Sequence, residues 1–393
     1  MDAERRMTLT APPAPWARAV ASRRRRVVLP QAISHRGYKA RHAENSMAAF
    51  RGAVRAGAHA IETDARLSAD GVAVLSHDPT LKRCFALDRR VADCPWADLA
   101  RLRTTTTTPP GAQGHGLPRL RDLLAWLAAA AAHDDEDEDE RERRAGVWVL
   151  LDIKASHSTF QVFAAGQGVC MDDDAQHLVD AIAAAINDVP PGRVPWEQRI
   201  MLGCWNASTI LAARRSLPSF PLAHIGFSLS YARHFLPPLA NLALNMAENA
   251  LVAPLRGRRM LLDAAAARRP VFAWTVNSER GMRWAIRQNL GLSRGVADGG
   301  ADGGAAQMAR PALVDGVVTD DPALFLDLCR RYEDELESKA PPPPAAPLTH
   351  TLAVVLRFLL GQLLFKLVFL YRRFWLHKLD YLPRPVGPEA KAD

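Results

Sequence analysis

The chain has 393 residues, 48% of them hydrophobic, with 50 Lys and Arg against 42 Asp and Glu and a formal net charge of +8. That length buries a sizeable core in one domain of about 250–300 residues with extensions, and the apolar content excludes a disordered chain. Five scattered cysteines without C-x-x-C spacing exclude a disulfide scaffold and a structural zinc site and suit a reducing compartment, while the basic excess comes with no nucleic-acid motif and equally suits an anionic membrane surface.

Residues 1–26, ending in Arg23-Arg24-Arg25-Arg26, lack the apolar core of a secretory signal and read as a flexible basic arm. Asp2 and Glu4 count against a mitochondrial presequence. The spacing predicts a strand over 27–34, then a helix over 44–56 with Ala48, Ala49, Phe50 and Val54 on its inner face. A second strand over 58–64 leads to a turn at 67–71, and the apolar run 71–75 leads to His77 and Asp78. Residues 104–116 are a Thr-, Pro- and Gly-rich loop, 117–132 a helix entered at Pro118, and 133–146 a charged insertion expected to lack fixed structure. Further strands are expected over 147–153, 199–203, 222–227, 250–252, 271–276 and 316–319, with helices over 175–187 and 322–337. The Gly-, Ala- and Asp-rich stretch 293–311 reads as another surface insertion.

Residues 338–350, with Pro341 to Pro344, form a stiff linker in polyproline geometry. Beyond it, 351–371 is the most apolar run in the chain. About 21 residues at ~1.5 Å each would reach ~31 Å, the depth of a bilayer core. Arg357, Gln362 and Lys366 interrupt the run, so apolar gain and cation cost nearly cancel. Gln362, Lys366, Arg373 and His377 fall on one helical stripe, which predicts a membrane anchor over 351–382 lying in, or looping back within, the membrane surface. Tyr371, Trp375 and Tyr381 beside Arg372, Arg373 and Lys378 suit the headgroup level.

The chemistry concentrates between Ile33 and Arg83, where His35-Arg36-Gly37, Glu62, Asp64, His77 and Asp78 stand at the ends of short apolar runs. Polar groups at the carboxyl ends of parallel strands are where an α/β barrel places its site. These residues resemble the glycerophosphodiester phosphodiesterase family, whose motifs H-R-G, E-N-(T/S), E-x-D and H-D stand here as His35-Arg36-Gly37, Glu44-Asn45-Ser46, Glu62-Thr63-Asp64 and His77-Asp78. Leu151-Asp152-Ile153-Lys154, Trp274-Thr275-Val276-Asn277 and the run from Val314 to Pro322 match later pieces, so the resemblance covers about residues 30–328.

The resemblance implies a TIM (β/α)8 barrel over 27–337, one divalent cation, and cleavage of a phosphodiester that carries a glycerol group. By it, His35 and His77 are the acid/base pair, with the two roles left open between them. Glu62, Asp64 and Asp152 form the hard oxygen cluster for one Mg²⁺ or Ca²⁺. Arg36 and Lys154 hold phosphate oxygens, and Trp274 walls the glycerol. Family members usually carry Glu where this chain has Asp152, one methylene shorter. Glu44 stands between a catalytic and a bracing role. With its apolar tail the chain resembles the membrane-associated phosphatidylglycerol phospholipase C type. That implies conversion of phosphatidylglycerol to diacylglycerol and glycerol 3-phosphate at an intracellular membrane of the endoplasmic reticulum, lipid droplet or mitochondrion. The alternatives are a glycerophosphodiesterase or lysophospholipase D on soluble or lysolipid substrates, and a non-catalytic membrane scaffold. The partners expected are thus a phospholipid or glycerophosphodiester substrate and a membrane, with no nucleic acid and the oligomeric state open.

Overall fold

The computed structural model describes residues 10–22, 27–105, 114–129, 137–155, 172–290 and 312–338, with single helical positions at Leu356, Leu360, Leu363, Leu364 and Leu367. Eight strands form the barrel: β1 Gln31–His35, β2 Ala60–Leu67, β3 Trp148–Ile153, β4 Ile200–Cys204, β5 Leu222–Gly226, β6 Ala243–Ala247, β7 Val271–Trp274 and β8 Gly316–Thr319. All eight are parallel in sequential order, and β1 lies between β8 and β2, which closes the ring. Their apolar runs are buried on both faces, as parallel strands under helices must be. The described helices longer than four residues are α1 Met47–Arg55, α2 Leu120–Ala128, α3 Glu138–Gly146, α4 Asp172–Asn187, α5 Ala207–Ser216, α6 Leu229–Phe235, α7 Arg256–Ala266, α8 Glu279–Leu290 and α9 Pro322–Ser338.

Inside the ring, Ile33, Trp148, Leu150, Met201, Phe272 and Val318 make one apolar cluster. Along the same inward faces, Ala60 gives way to Glu62 and Asp64 on β2, and Leu150 to Asp152 on β3. The barrel is therefore greasy toward its amino end and acidic toward its carboxyl end, with the change made within single strands.

Several expectations are corrected. Residues 10–22 are not a free arm: they cap the amino-terminal end of the barrel. The Trp16 ring lies 5.0 Å from that of Trp148, Ala11, Ala14 and Ala17 are buried, and Gln31 Nε2 donates to the carbonyls of Trp16 and Arg18 at 2.8 and 2.7 Å. The first strand divides at Pro30, which has no N–H for a ladder: Val28–Leu29 pairs antiparallel with Val20–Ala21, and β1 starts afresh at Gln31. The strand expected over 250–252 lies earlier, as β6, and Glu248–Leu251 is a helical turn. Of the insertion over 133–146, residues 138–146 are helix α3, because Glu140 receives Arg55 at 3.0 Å and buried Arg144 donates to the carbonyls of Trp126 and Ala129 at 2.6 and 2.7 Å. Residues 106–113 of the Thr-rich loop, the insertion 293–311, the linker from 339 and the 351–382 segment apart from five leucines lie outside the described residues. Among the described residues no helix is long and apolar enough to cross a membrane.

Candidate active site

Glu62, Asp64 and Asp152 bring one carboxylate oxygen each to within 4.8 Å of one another, all three buried. The cause is register: Asp64 pairs with Asp152 across β2 and β3, and alternation puts Glu62 on the same inward face. Burial, then the Asp64 and Asp152 charges, push the Glu62 carboxyl well above its usual range. Burial also works to raise Asp64, but Lys154 and Arg36 outweigh it and hold that carboxyl far below the carboxylate range. Lys154 Nζ lies 2.5 Å from Asp152 and 3.1 Å from Asp64, and Arg36 Nε lies 3.4 Å from Asp64. A set of hard oxygens with surplus negative charge, one member of it pushed toward protonation, fits a divalent cation.

The two histidines reach this rim from the end of β1 and from the loop that follows residues 73–75, each with Nδ1 on a carboxylate. His35 ends β1, and its Nδ1 lies 2.6 Å from Asp320 Oδ1. Asp320 also accepts from Asn277 at 2.9 Å and Lys39 at 3.3 Å. Burial would raise the Asp320 carboxyl, yet the hydrogen bond from His35 leads the contacts that hold it at about 2. Burial brings the His35 imidazole below its ordinary 6.5, against the pull of Asp320. His77 Nδ1 lies 2.7 Å from Asp78 Oδ1. Burial disfavours the Asp78 charge, but His77 and Arg83 hold that carboxyl well below its usual range. A carboxylate on Nδ1 fixes ring orientation and tautomer and leaves Nε2 for the reacting group.

The E-N-S motif is scaffolding for this rim. Glu44 accepts from Arg36 at 2.8 Å and from both terminal nitrogens of Arg83 at 2.7 Å, while Arg83 Nε reaches Asp78 at 2.7 Å. His77, Asp78, Arg83, Glu44 and Arg36 thus form one chain of contacts ending on Asp64. Asn45 donates to Asp64 at 2.8 Å and accepts from Thr63 at 2.7 Å, and Ser46 caps α1 by accepting from Ala49 N at 3.1 Å. Gly37 has φ +79°, and a Cβ there would stand 2.7 Å from Ala49 atoms, so only glycine lets the His35 loop press on α1.

On the facing side, Trp205 Nε1 donates to Asp152 Oδ1 at 2.7 Å, the Lys154 ammonium lies 5.0 Å over the same indole, and the Trp274 ring stands 5.5 Å away at 75°. Trp274 is half-buried, its Nε1 on the Asn245 carbonyl at 2.9 Å. Arg36 and Lys154 are thus committed to carboxylates as well as facing the mouth. Sequence reasoning placed Asp78 and Asp320 in matched motifs without a role and assigned no part to Arg66. Arg66 is buried, donates to the His77 carbonyl through Nε at 2.9 Å and NH2 at 2.6 Å, and reaches the Lys154 carbonyl at 3.4 Å. The period-two series Glu62, Asp64, Arg66 was the available signal.

The profile of the glycerophosphoryl diester phosphodiesterase family matches residues 35–324. A human protein, lysophospholipase D GDPD1, is 36% identical over 77 residues, which span 20% of this chain and 24% of that protein. The chain thus aligns with only about a quarter of this curated relative's length. Among solved structures, an Oleispira antarctica phosphodiesterase in complex with the product sn-glycerol-3-phosphate has a TM-score of 0.54 at 18% identity, covering 77% of this chain and 97% of that one. A glycerophosphodiester phosphodiesterase from Parabacteroides distasonis has a TM-score of 0.53 at 17% identity, covering 77% and 98%. Those two likenesses are of fold. The chain belongs to the glycerophosphoryl diester phosphodiesterase family, a family of phosphoric diester hydrolases.

Proposed function

We propose that this protein hydrolyses glycerophospholipids at a membrane surface, taking phosphatidylglycerol to diacylglycerol and glycerol 3-phosphate. The observation that carries the reading is the pair of carboxylate-held imidazoles beside three clustered carboxylates. A phosphodiester is shielded by its own charge and has a poor leaving group, so cleavage needs a base, an acid and positive charge at phosphorus. Glu62, Asp64 and Asp152 would hold a Mg²⁺ or Ca²⁺ ion, which when bound supplies Lewis-acid stabilisation of the phosphoryl oxygens. In the first step the headgroup hydroxyl next to the phosphoester attacks phosphorus, and diacylglycerol departs. His35, whose burial favours the neutral ring, takes the hydroxyl proton, and His77 gives one to the leaving oxygen. Water then opens the cyclic phosphate with these roles exchanged. Arg36 orients the phosphoryl oxygens, Lys154 adds positive charge beside them, and Trp274 with Trp205 walls the glycerol carbons.

Attachment to a membrane is supported by the described positions of the carboxyl-terminal segment. Leu356, Leu360, Leu363, Leu364 and Leu367 are helical, spaced as one stripe, and 47–67% exposed. An intracellular membrane fits the four described cysteines, all free thiols. The second reading, lysophospholipase D action on lysolipids, is favoured by the activity for which the human relative is named. Incubating purified protein with phosphatidylglycerol vesicles, glycerophosphoglycerol and lysophospholipids, with and without EDTA, separates the two. Metal-dependent diacylglycerol release is expected from phosphatidylglycerol. Release of no phosphate ester from any of the three would remove the enzymatic reading.

A further inference from the structure

The most exposed large apolar side chain in the described structure is Leu255, at 86%. It stands at the corner between the helical turn Glu248–Leu251 and α7. Topology fixes which end of the barrel this is. Strand β6 runs toward the mouth and ends at Ala247, and α7 returns the chain to the opposite end before β7, so the 252–256 corner lies on the rim that carries the active site.

Leu255 has φ +61° and ψ −55°, and Arg256 N donates to the Pro254 carbonyl at 2.7 Å, which together make a γ-turn of the strained, positive-φ kind. Leucine is a poor choice for such a backbone, where glycine would sit free of strain. Gly257 keeps the turn tight, since a Cβ there would meet the Leu251 carbonyl at 1.9 Å. Strain of this kind persists where the surroundings impose it, and here it aims a leucine at solvent. Beside it, Arg256, Arg258 and Arg259 are all exposed and make no ion pair among the described residues. The chain from 252 to 262 holds no acidic residue, and Asp263 beyond it is occupied by Arg233 at 2.7 Å.

We infer that this turn is a lipid-docking prong: Leu255 enters an anionic lipid surface while Arg256, Arg258 and Arg259 engage its phosphates, setting the barrel mouth against the bilayer. The inference rests on the reading that the substrate is a membrane lipid, and it names the surface that lipid is taken from. A single apolar prong ringed by guanidiniums with no acidic partner among the described residues matches an interface whose outer layer is anionic and whose next layer is hydrocarbon. Leu255 and Pro254 alone are too small an apolar area for a stable protein partner.

The test is sedimentation of the full chain with vesicles, in EDTA so that no lipid is cleaved. Vesicles of phosphatidylcholine alone are compared with vesicles that include phosphatidylglycerol. Leu255→Asp is expected to lower partitioning onto the anionic vesicles by about tenfold or more. Replacing the three arginines by serine should lower it roughly a hundredfold and reduce its salt dependence. Turnover of water-soluble glycerophosphoglycerol should be unchanged in both variants, which also shows that they are folded. Wild-type partitioning in both variants would overturn the proposal, as would equal binding of wild type to the two vesicle types. Binding in EDTA that depends on the turn, with no cleavage of phosphatidylglycerol once Mg²⁺ or Ca²⁺ is restored, would keep the prong and remove the substrate reading.

Discussion

Arg66 is the group whose loss should separate the positioning of the catalytic loops from their chemistry. Its guanidinium makes two bonds to the His77 carbonyl, at 2.9 and 2.6 Å, and a longer one to the Lys154 carbonyl at 3.4 Å. It therefore ties the loop after β2 to the loop after β3 from below. Burial lowers its pKa to about 10, against the support of Asp64 and Asp152, so it remains charged at neutral pH. Arg66→Met keeps the buried methylene volume and removes every donor. Charge-assisted bonds of this kind are worth ~1.5–3 kcal/mol each, and the long third contact deserves less. With two carbonyls left short of partners, unfolding free energy should fall by about 3–5 kcal/mol. A displacement of His77 on the order of 1 Å would lower turnover by about 100-fold. Chemical denaturation gives the first quantity, and steady-state turnover of a soluble glycerophosphodiester the second. Cation affinity by calorimetry is expected not to fall, since Arg66 makes no hydrogen bond to the three carboxylates and its charge only opposes a cation near Asp64 and Asp152. Wild-type turnover in a destabilised variant would refute the positioning role. A loss of cation binding that matches the loss of turnover would transfer the effect to the cluster.

Asp320→Asn keeps the shape beside His35 but removes the charge that stabilises its protonated ring, so turnover should fall by on the order of 100-fold with KM little changed, read from steady-state kinetics against an unchanged melting curve. Because Glu62 is pushed toward protonation, a cation must displace a proton, so Mg²⁺ or Ca²⁺ affinity measured by calorimetry should rise from acid to neutral pH, and Glu62→Gln should flatten that rise. A cation at about 100 times its Kd should also stabilise the fold by ~2.7 kcal/mol in a thermal melt. At the opposite end of the barrel, burial lifts the Asp315 carboxyl from 3.8 to about 6, more than its contacts with Arg18 and the Val271 and Ala19 N–H groups lower it. The folded value lies above the unfolded one, so the folded state binds the proton more tightly. This contribution to stability is full below about pH 4 and is lost as pH rises to about 6, in total about 3 kcal/mol. The wild-type minus Asp315→Asn stability difference, from denaturant melts at several pH values, should fall across that window; a flat difference would contradict it.

How legible the fold was depends on what each segment buries. The run Val147 to Ile153 reads as a strand because a parallel strand under helices is apolar on both faces, and β3 follows it to within a residue. β6 was misplaced because Asn245 interrupts its apolar pattern while Ala243 and Ala247 carry no strand preference. Its register with β5 and β7 decides its conformation, and that is not a local property. The tract from 138 to 146 looked like solvated charge, yet it has acids in its first turn and arginines in its last, an order that suits a helix dipole. What made it fold was Arg55 from α1 and two carbonyls at the end of α2, partners that no window of sequence contains. At the site, the motif residues on β1, β2 and β3 were legible because chemistry-bearing residues stood at strand ends. Asn277 stood in a matched motif without a firm role, and the structure gives it one, a bond to Asp320, while Trp205 bonds Asp152.

The charge distribution at the mouth explains why two kinds of ion pair coexist there. Asp320 and Asp78 each serve a histidine and each have a cation of their own, Lys39 and Arg83, so the imidazoles sit in locally balanced surroundings. The central cluster is not balanced in this way. Three carboxylates against the two cations paired with them, Arg36 and Lys154, leave one net negative charge when all are ionised, and this adds to burial in driving Glu62 toward its neutral form. A divalent ion turns that remainder into one positive charge, equal and opposite to a phosphodiester. Lys154 is therefore the residue on which ion and substrate compete in sign. Without it the carboxylates would grip a cation harder, and the loaded site would attract the phosphodiester less. Lys154→Met should accordingly tighten Mg²⁺ or Ca²⁺ binding while raising KM, and a variant that weakened both would show that Lys154 serves mainly to hold Asp64 and Asp152 in place.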